Sequence, residues 1–142
     1  MVSRRKFITQ AATAATAFTI LPRFVLGGKG FIAPSDYIGG IGAGGKGESD
    51  LTEMAKSPNA KIISFCDVDD RMAVNSVKNF PNAKYYKDFR EMLDKEKSID
   101  ACTISTPDHT HAVAAMAAMV RGKHVYVQKP LAHDIYEARM LT

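Results

Sequence analysis

The stretch Gly42-Ala43-Gly44-Gly45-Lys46-Gly47 decides the fold that this sequence predicts. The apolar run Tyr37-Ile38-Gly39-Gly40-Ile41 precedes it, and a helical pattern follows it over residues 44–56. Glycine recurs at the first, third and sixth positions of the stretch, which is typical of a tight turn between a buried strand and a helix. The sequence therefore predicts a strand, a glycine turn and a helix as the opening unit of a domain.

Four further apolar runs alternate with helical patterns along the rest of the chain. The predicted strands cover residues 61–66, 84–86, 99–104 and 124–127, and the predicted helices cover 70–80, a segment from 88, 110–121 and a segment from 134. This alternation is typical of parallel strands joined by crossover helices. Residues 36–142 therefore predict a Rossmann-type α/β domain with a doubly wound, mostly parallel sheet of about five strands in three layers.

Two glycines, Gly39 and Gly40, stand inside the first predicted strand. Each costs roughly 0.5–1 kcal/mol relative to alanine in a strand interior. We therefore expect a weak central strand, of the kind that a small deletion would leave.

The first 35 residues differ in composition from the rest. Ser3-Arg4-Arg5-Lys6-Phe7-Ile8 is a twin-arginine pattern, and a mildly apolar stretch from Ala11 to Leu21 follows it. This stretch is too short to cross a bilayer as a helix, which takes about 20 residues. We predict a Tat-type signal and linker over residues 1–35, hence a partner in the Tat translocase and a periplasmic or otherwise exported protein, anchored if the leader is not cleaved. An amphipathic or disordered arm is the alternative.

The positive charge of the chain resides in this leader. The net charge of +4 comes from 19 basic and 15 acidic residues, but from Asp36 onward 14 basic residues stand against 15 acidic ones. The basicity therefore does not indicate a nucleic-acid partner. Cys66 and Cys102 each lie in an apolar run, and we expect buried core thiols rather than a disulfide framework.

The glycine turn has the spacing of a dinucleotide-binding fingerprint. Gly42 permits the tight turn, Gly44 lets the backbone approach a pyrophosphate, and Gly47 lets the helix pack on the strand. Phosphates would lie on backbone N–H groups at the positive end of the helix dipole, with Gly45 in the same cradle. The turn therefore predicts a site for NAD or NADP.

Asp67 ends the second predicted strand, 20 residues after Gly47. A carboxylate at this place accepts hydrogen bonds from the adenosine ribose and repels a 2′-phosphate, which slightly favours NAD over NADP. Arg71 is near enough to favour NADP instead, so the choice stays open. A solvated turn acid is the alternative interpretation of Asp67.

Two polar segments follow the fourth and fifth predicted strands, at the edge where open parallel sheets bind ligands. The first is Thr106-Pro107-Asp108-His109-Thr110-His111, and the second is Lys129-Pro130. The histidine pair has no further ligands beside it, so we predict no metal site, and we expect Asp108 to cap a helix. Lys129 could serve as an acid, a base or a hydroxyl-binding cation beside a nicotinamide ring, or be a solvated surface lysine.

Together these motifs resemble the Gfo/Idh/MocA oxidoreductases, the family of glucose-fructose oxidoreductase and inositol dehydrogenase. The resemblance runs from Asp36 to the C-terminus through four segments in order: the glycine turn, Cys66-Asp67-Val68-Asp69, Ser105 to His111, and Val127 to Leu131. Four motifs in the correct order make a chance similarity improbable.

The resemblance implies roles for particular residues. It implies that the glycine turn holds the pyrophosphate and that Asp67 holds the adenosine ribose. It implies that three residues line the nicotinamide side: Thr106, Pro107 and His111. It also implies that Lys129 is the catalytic or substrate-orienting lysine of the family's Glu-Lys-Pro motif, although Gln128 stands here in place of the glutamate and removes a negative charge beside Lys129.

Family members are much longer, with a second α/β domain that supplies the substrate pocket and a catalytic histidine. We therefore expect a chain truncated within its last helix and inactive alone, the NAD(P)-binding domain of an exported oxidoreductase acting on CH–OH groups of a sugar or polyol, with oligomer formation open. The alternatives are an NAD-dependent glycoside hydrolase, which oxidises its substrate transiently, and a non-catalytic nucleotide-binding remnant.

Overall fold

The computed structural model describes residues 36–142, in which strands and helices alternate. The strands are β1 Asp36–Ile41, β2 Ala60–Cys66, β3 Lys84–Tyr86, β4 Ala101–Ile104 and β5 His124–Val127. The helices are α1 Lys46–Ala55, α2 Asp70–Asn79, α3 Phe89–Lys95, α4 His111–Met119 and α5 Ile135–Met140, and a 3₁₀ turn, Asp108–Thr110, precedes α4.

All four strand pairings are parallel, and the order across the sheet is β3-β2-β1-β4-β5. The chain builds the sheet outward from β1 on one side and then returns to place β4 on the other side of β1. The carboxyl ends of β1 and β4 therefore form a topological switch point, where open sheets of this kind bind their ligands. The predicted Rossmann-type fold is confirmed.

The core consists of two clusters, one on each face of the sheet. Phe65 of β2 packs with Leu51 of α1 and Ala73 of α2, whereas its neighbour Cys66 packs with residues of α3 and α4. Adjacent residues of a strand point to opposite faces, so α1 and α2 cover one face and α3 and α4 cover the other.

The central strand β1 is formed and paired on both sides, although it contains two glycines. It pairs with β2 along its six residues, with one register shift, and with β4 from Ile38 to Ile41. A Cβ on Gly39 would lie 2.9 Å from Cδ1 of Ile99, and one on Gly40 would lie 2.9 Å from Cδ1 of Leu51. These glycines let neighbouring side chains pack closely on both faces of the strand, and the expected cost to its stability stays a prediction.

Several boundaries differ from the sequence prediction for local reasons. Helix α1 begins at Lys46 rather than residue 44, because Gly45 has a φ of 55°, outside the helical region. Strand β4 begins at Ala101, because Ile99 lies in the preceding turn and donates its N–H to the carbonyl oxygen of Glu96.

Aspartate side chains cap three of the helices by accepting a backbone N–H at the N-terminus: Asp69, Asp88 and Asp134. Asp108, which we expected to cap a helix, instead accepts the N–H of His109 within the 3₁₀ turn. Helix α1 has no side-chain cap.

The predicted export signal and linker, residues 1–35, lie outside the described residues. Between residues 36 and 142, no helix is long and apolar enough to cross a membrane.

Replacing Gly47 by alanine is expected to lower the free energy of unfolding by about 3 kcal/mol or more, because its Cβ would overlap backbone. That Cβ would lie 1.8 Å from the carbonyl oxygen of Gly42. The matched control is Gly45→Ala, whose nearest contact is 3.9 Å and which should cost only about 1–2 kcal/mol for its positive φ. Urea unfolding of both variants measures the difference, and equal losses would contradict this account of the turn.

Candidate cofactor-binding site

The glycine turn is wedged between the end of β4 and the start of α1. Gly42 has a φ of 82°, and a Cβ on it would lie 2.9 Å from backbone atoms of Ser105 and Thr106. Gly47 approaches the carbonyl oxygen of Gly42 from the helix side. Glycine is therefore required at both positions by backbone packing, and the turn is held directly at the switch point.

Gly44 faces helix α2. A Cβ on this residue would lie 2.5 Å from Cβ of Met72. We expected Gly44 to make room for a pyrophosphate, and in the structure its missing side chain also makes room for α2. Gly45, by contrast, has open space around it and contributes its positive φ of 55°.

The carboxylate of Asp67 is bonded to the glycine turn itself. Its Oδ2 accepts the N–H groups of Ala43 at 2.9 Å and Gly44 at 3.0 Å, and its Oδ1 accepts the N–H of Asp69 at 2.9 Å. Asp67 thus ties the end of β2 to the turn. Nothing in the sequence signals the two bonds to the turn, because they join Asp67 to backbone groups more than twenty residues away.

Two hollows flank the end of β4. One, of about 290 Å³, lies on the β2 side and is lined by Gly42, Gly44, Asp67, Val68, Thr106 and Pro107 among others. The other, of about 320 Å³, lies on the β5 side and is lined by Lys46, Ser105, Thr106, Asp108, His111, Gln128 and Lys129. The residues predicted from three separate motifs therefore meet around one edge of the sheet, on either side of Ser105 and Thr106.

The residues of this edge fit a dinucleotide. Helix α1 carries no side-chain cap, so no side chain competes for its N-terminal N–H groups. The hydroxyl Oγ1 of Thr106 is buried without a hydrogen-bond partner among the described residues, and it lies where both hollows meet. A buried polar atom of this kind usually acquires a partner, which a ligand would supply.

His111 connects the two polar segments. It is only 2% exposed, with Nδ1 at 2.6 Å from the carbonyl oxygen of Pro130 and Nε2 at 2.7 Å from that of Thr106. Each ring nitrogen of His111 therefore lies within hydrogen-bond distance of one of the two segments. The side chain predicted to line the nicotinamide side thus also holds the Lys129-Pro130 segment against the end of β4.

Asp50 is a site residue that sequence reasoning missed. It is buried, and its carboxylate accepts hydrogen bonds from Lys46 Nζ, from Ser105 Oγ at 2.7 Å and from Gln128 Nε2 at 2.8 Å. Burial alone would raise the pKa of Asp50, but the bonds from these three side chains outweigh it and hold the pKa below its usual value. The one indication in the sequence was Lys46, which lies one helical turn before Asp50 at the spacing of an ion pair.

Arg71 is paired with Asp69. Its guanidinium donates to both carboxylate oxygens, with Nη2 at 2.7 Å from Oδ2. These bonds hold the pKa of Asp69 down to about 2. Arg71, the cation that could favour NADP, is therefore engaged by a neighbouring carboxylate on the exposed surface.

Both thiols are buried and free, as expected, and burial raises the pKa of Cys66 and Cys102 to about 12. Neither thiol is therefore a nucleophile near neutral pH. Within residues 36–142, no group of three or more His, Cys, Asp or Glu side chains is arranged to hold a metal ion.

Fold and site together define a Rossmann-type NAD-binding domain. Residues 37–142 match the family model described as "Oxidoreductase family, NAD-binding Rossmann fold". The chain belongs to the Gfo/Idh/MocA oxidoreductase family, as its motifs predict.

Several known proteins are similar to this chain. Glucose-6-phosphate 3-dehydrogenase of Bacillus subtilis is 29% identical over 73% of this chain and 29% of its own length. A glycosyl hydrolase family 109 protein of Shewanella sp. is 33% identical over 92% of this chain and 31% of its own. The structure of myo-inositol dehydrogenase from Lactobacillus casei, in complex with NAD(H) and myo-inositol, superposes with a TM-score of 0.69 at 26% identity, over 75% of this chain and 32% of that one. The chain thus spans about a third of the length of these relatives.

Asp50→Asn is expected to lower the free energy of unfolding at neutral pH by about 2 kcal/mol, because the charge that receives three hydrogen bonds is removed. The pKa of Asp50 is lowered in the folded state, so its contribution is present above the ordinary value of 3.8 and is lost as the pH falls through the lower folded pKa. Urea unfolding over an acidic pH series measures this.

The stability gap between the wild type and Asp50→Asn should therefore be constant near neutral pH and close in acid. The matched control is Asp94→Asn, since Asp94 is an exposed partner of Arg121 and should contribute about 0–1 kcal/mol. A gap that persists unchanged in strong acid would contradict the assignment of charge to Asp50.

Proposed function

We propose that residues 36–142 form the NAD-binding domain of an exported oxidoreductase that acts on CH–OH groups of a sugar or polyol. The observation that carries the proposal is the glycine turn at the β1/β4 switch point, with one hollow toward Asp67 and another toward Lys129. The substrate class is supported by the inositol dehydrogenase solved with NAD(H) and myo-inositol and by the Bacillus subtilis dehydrogenase named for glucose 6-phosphate.

The two hollows suit the two halves of a dinucleotide. The pyrophosphate would lie at the N-terminus of α1, where the backbone supplies N–H donors and the helix dipole favours an anion. The adenosine half would enter the hollow beside Asp67, and the nicotinamide half the hollow beside Lys129. Each carboxylate oxygen has two acceptor sites and Oδ1 of Asp67 accepts one N–H, so it retains a site for a ribose hydroxyl.

We further propose that NAD is preferred over NADP. The carboxylate of Asp67 would repel a 2′-phosphate. Two cations near Asp67 could offset this repulsion, and both are paired with other carboxylates. Arg71 is paired with Asp69, and Lys87, which lines the hollow, is paired with Asp70.

When bound, the nicotinamide supplies hydride transfer to or from a substrate carbon. Lys129 is exposed and lines the β5-side hollow, so its ammonium can donate a hydrogen bond to the substrate hydroxyl and assist the movement of its proton. His111 and Gln128 hold the segment that carries Lys129. The chain spans about a third of its relatives' length, and we propose that the substrate pocket needs residues beyond those described.

Export is proposed from the twin-arginine pattern of the leader. Fusing residues 1–35 to a folded reporter tests this proposal. The reporter should reach the periplasm with the native leader and stay in the cytoplasm when Arg4 and Arg5 are both replaced by lysine. Export that is insensitive to these replacements would contradict a Tat route.

A second candidate is a glycoside hydrolase that uses NAD transiently. Several relatives are named glycosyl hydrolase family 109 proteins, and the match to one of them covers 92% of this chain, so it extends into the first 35 residues. The match to the glucose-6-phosphate dehydrogenase covers 73%. Glycoside cleavage by the full-length protein, with bound NAD retained and unchanged in net redox state, would favour this candidate over the dehydrogenase.

Calorimetric titration with NAD and NADP tests the cofactor proposal. The wild type should bind NAD more tightly than NADP, and Asp67→Asn should narrow this preference by about tenfold, since the charge that repels a 2′-phosphate is gone. Asp94→Asn is the matched control and should leave the preference unchanged.

Absence of binding of either dinucleotide to the folded wild-type chain would contradict the proposed function. A preference for NADP in the wild type would contradict the role of Asp67 alone. Steady reduction of NAD with any sugar or polyol by the 142-residue chain would contradict the proposed need for further residues.

A further inference from the structure

Asp50 collects hydrogen bonds from three parts of the domain. Lys46 lies on its own helix α1, Ser105 follows β4, and Gln128 follows β5. One oxygen, Oδ2, receives both Ser105 Oγ at 2.7 Å and Gln128 Nε2 at 2.8 Å. With Asp50 only 7% exposed, this carboxylate joins the helix of the glycine turn to the ends of two strands.

Gln128 stands where the family has the glutamate of its Glu-Lys-Pro motif. The hydrogen bond from Gln128 to Asp50 explains why an amide suits this position in this chain. A glutamate here would place a second carboxylate at hydrogen-bond distance from Asp50. Two carboxylates at this distance, one buried at position 50 and one half-buried at position 128, do not readily both stay ionised, so one takes up a proton or the pair separates. The side chain at position 128 therefore has to donate a hydrogen bond as long as residue 50 carries a carboxylate.

The pair bears directly on Lys129. The backbone N–H of Gln128 donates to the carbonyl oxygen of Ile104 at 2.9 Å, which extends the β4–β5 pairing by one residue. On the other side of Lys129, the carbonyl oxygen of Pro130 is held by His111. Lys129 thus lies between two anchored residues, and one of these anchors depends on Asp50.

We propose that Asp50 is a positioning residue that acts through Gln128 to hold Lys129 at the β5-side hollow, and that only one of positions 50 and 128 can carry a negative charge. The catalytic meaning of this arrangement rests on the proposed function of Lys129. The coupling between the two positions does not, because it is measurable without cofactor.

The other charged or titratable groups around the pair come from every neighbouring element. Lys46 lies on α1, Tyr126 on β5 and His111 on α4, and Asp108 and Lys129 lie on the segments around the same hollow. Lys46 is bonded to the other oxygen of Asp50, so it can neutralise one carboxylate but not two. A second carboxylate at position 128 should therefore loosen this segment to a degree that depends on pH.

The test compares Gln128→Glu, Asp50→Asn and the double variant Asp50→Asn/Gln128→Glu. Amide hydrogen exchange by NMR at position 128, whose N–H donates to the carbonyl oxygen of Ile104, reports how firmly this segment is held, and amides of β2 report global stability. At about pH 7.5, Gln128→Glu should lose about tenfold or more of the protection at this position, beyond any change in β2, because the two carboxylates repel each other. At about pH 5, where the pair takes up a proton, much of this protection should return.

The double variant exchanges acceptor and donor and should recover protection to within about threefold of the wild type. If Gln128→Glu fails to fold, the double variant still tests the proposal, because the proposal requires the double variant to fold and to show this protection. A double variant as impaired as Gln128→Glu, or a loss spread equally over all strands, would overturn the proposal in favour of a merely structural role.

Asn75→Asp is the matched control. The Asn75 amide faces the carboxylate of Glu48 on the exposed surface, Nδ2 to Oε2 at 3.2 Å, so the same amide-to-acid change is made where water screens the charges. It should leave protection at position 128 unchanged at both pH values. A parallel NAD titration distinguishes this inference from the proposed function. Coupling between positions 50 and 128 without NAD binding would contradict only the proposed function. NAD binding without this coupling would contradict only this inference.

Discussion

The carbonyl oxygen of Gly42 occupies the space into which a side chain of residue 47 would project, and the site depends on this close approach. A Cβ there would lie 1.8 Å from the oxygen, so helix α1 can begin where it does only with glycine at position 47. Because β1 lies at the centre of the sheet, the same contact places the N-terminus of α1 beside the end of β4. The positive end of the helix dipole is thereby fixed at the switch point.

The polar groups around the turn follow from that placement. Asp67 reaches the turn from β2 and bonds two of its N–H groups, while Asp50, one turn into α1, reaches Ser105 and Gln128. Each carboxylate joins segments that are far apart in sequence. The site therefore consists of strand ends that these carboxylates join to one helix by hydrogen bonds. Loss of any one of these bonds should affect residues on the other side of the switch point.

Most of the architecture was predictable from the sequence because its signals are local. Glycine spacing and apolar runs depend on neighbouring residues, and they located the strands, the helices and the turn. The packing role of the β1 glycines was not predicted, since the side chains that pack against Gly39 and Gly40 come from α1 and from the turn before β4. Asp50 was missed for the same reason: nothing near it in sequence shows that Ser105 and Gln128 meet it. The linking role of His111 likewise depends on Pro130, nineteen residues away.

The central claim is that the two hollows beside Ser105 and Thr106 accept the two halves of one dinucleotide. The most direct measurement is an NMR titration of the chain with NAD, followed by the backbone amide shifts of residues 36–142. Amides of the glycine turn, of Val68 and of Lys129 should shift together with one apparent Kd, because a single ligand contacts all three places. Shifts confined to one hollow, or no shifts in a folded chain, would contradict the claim.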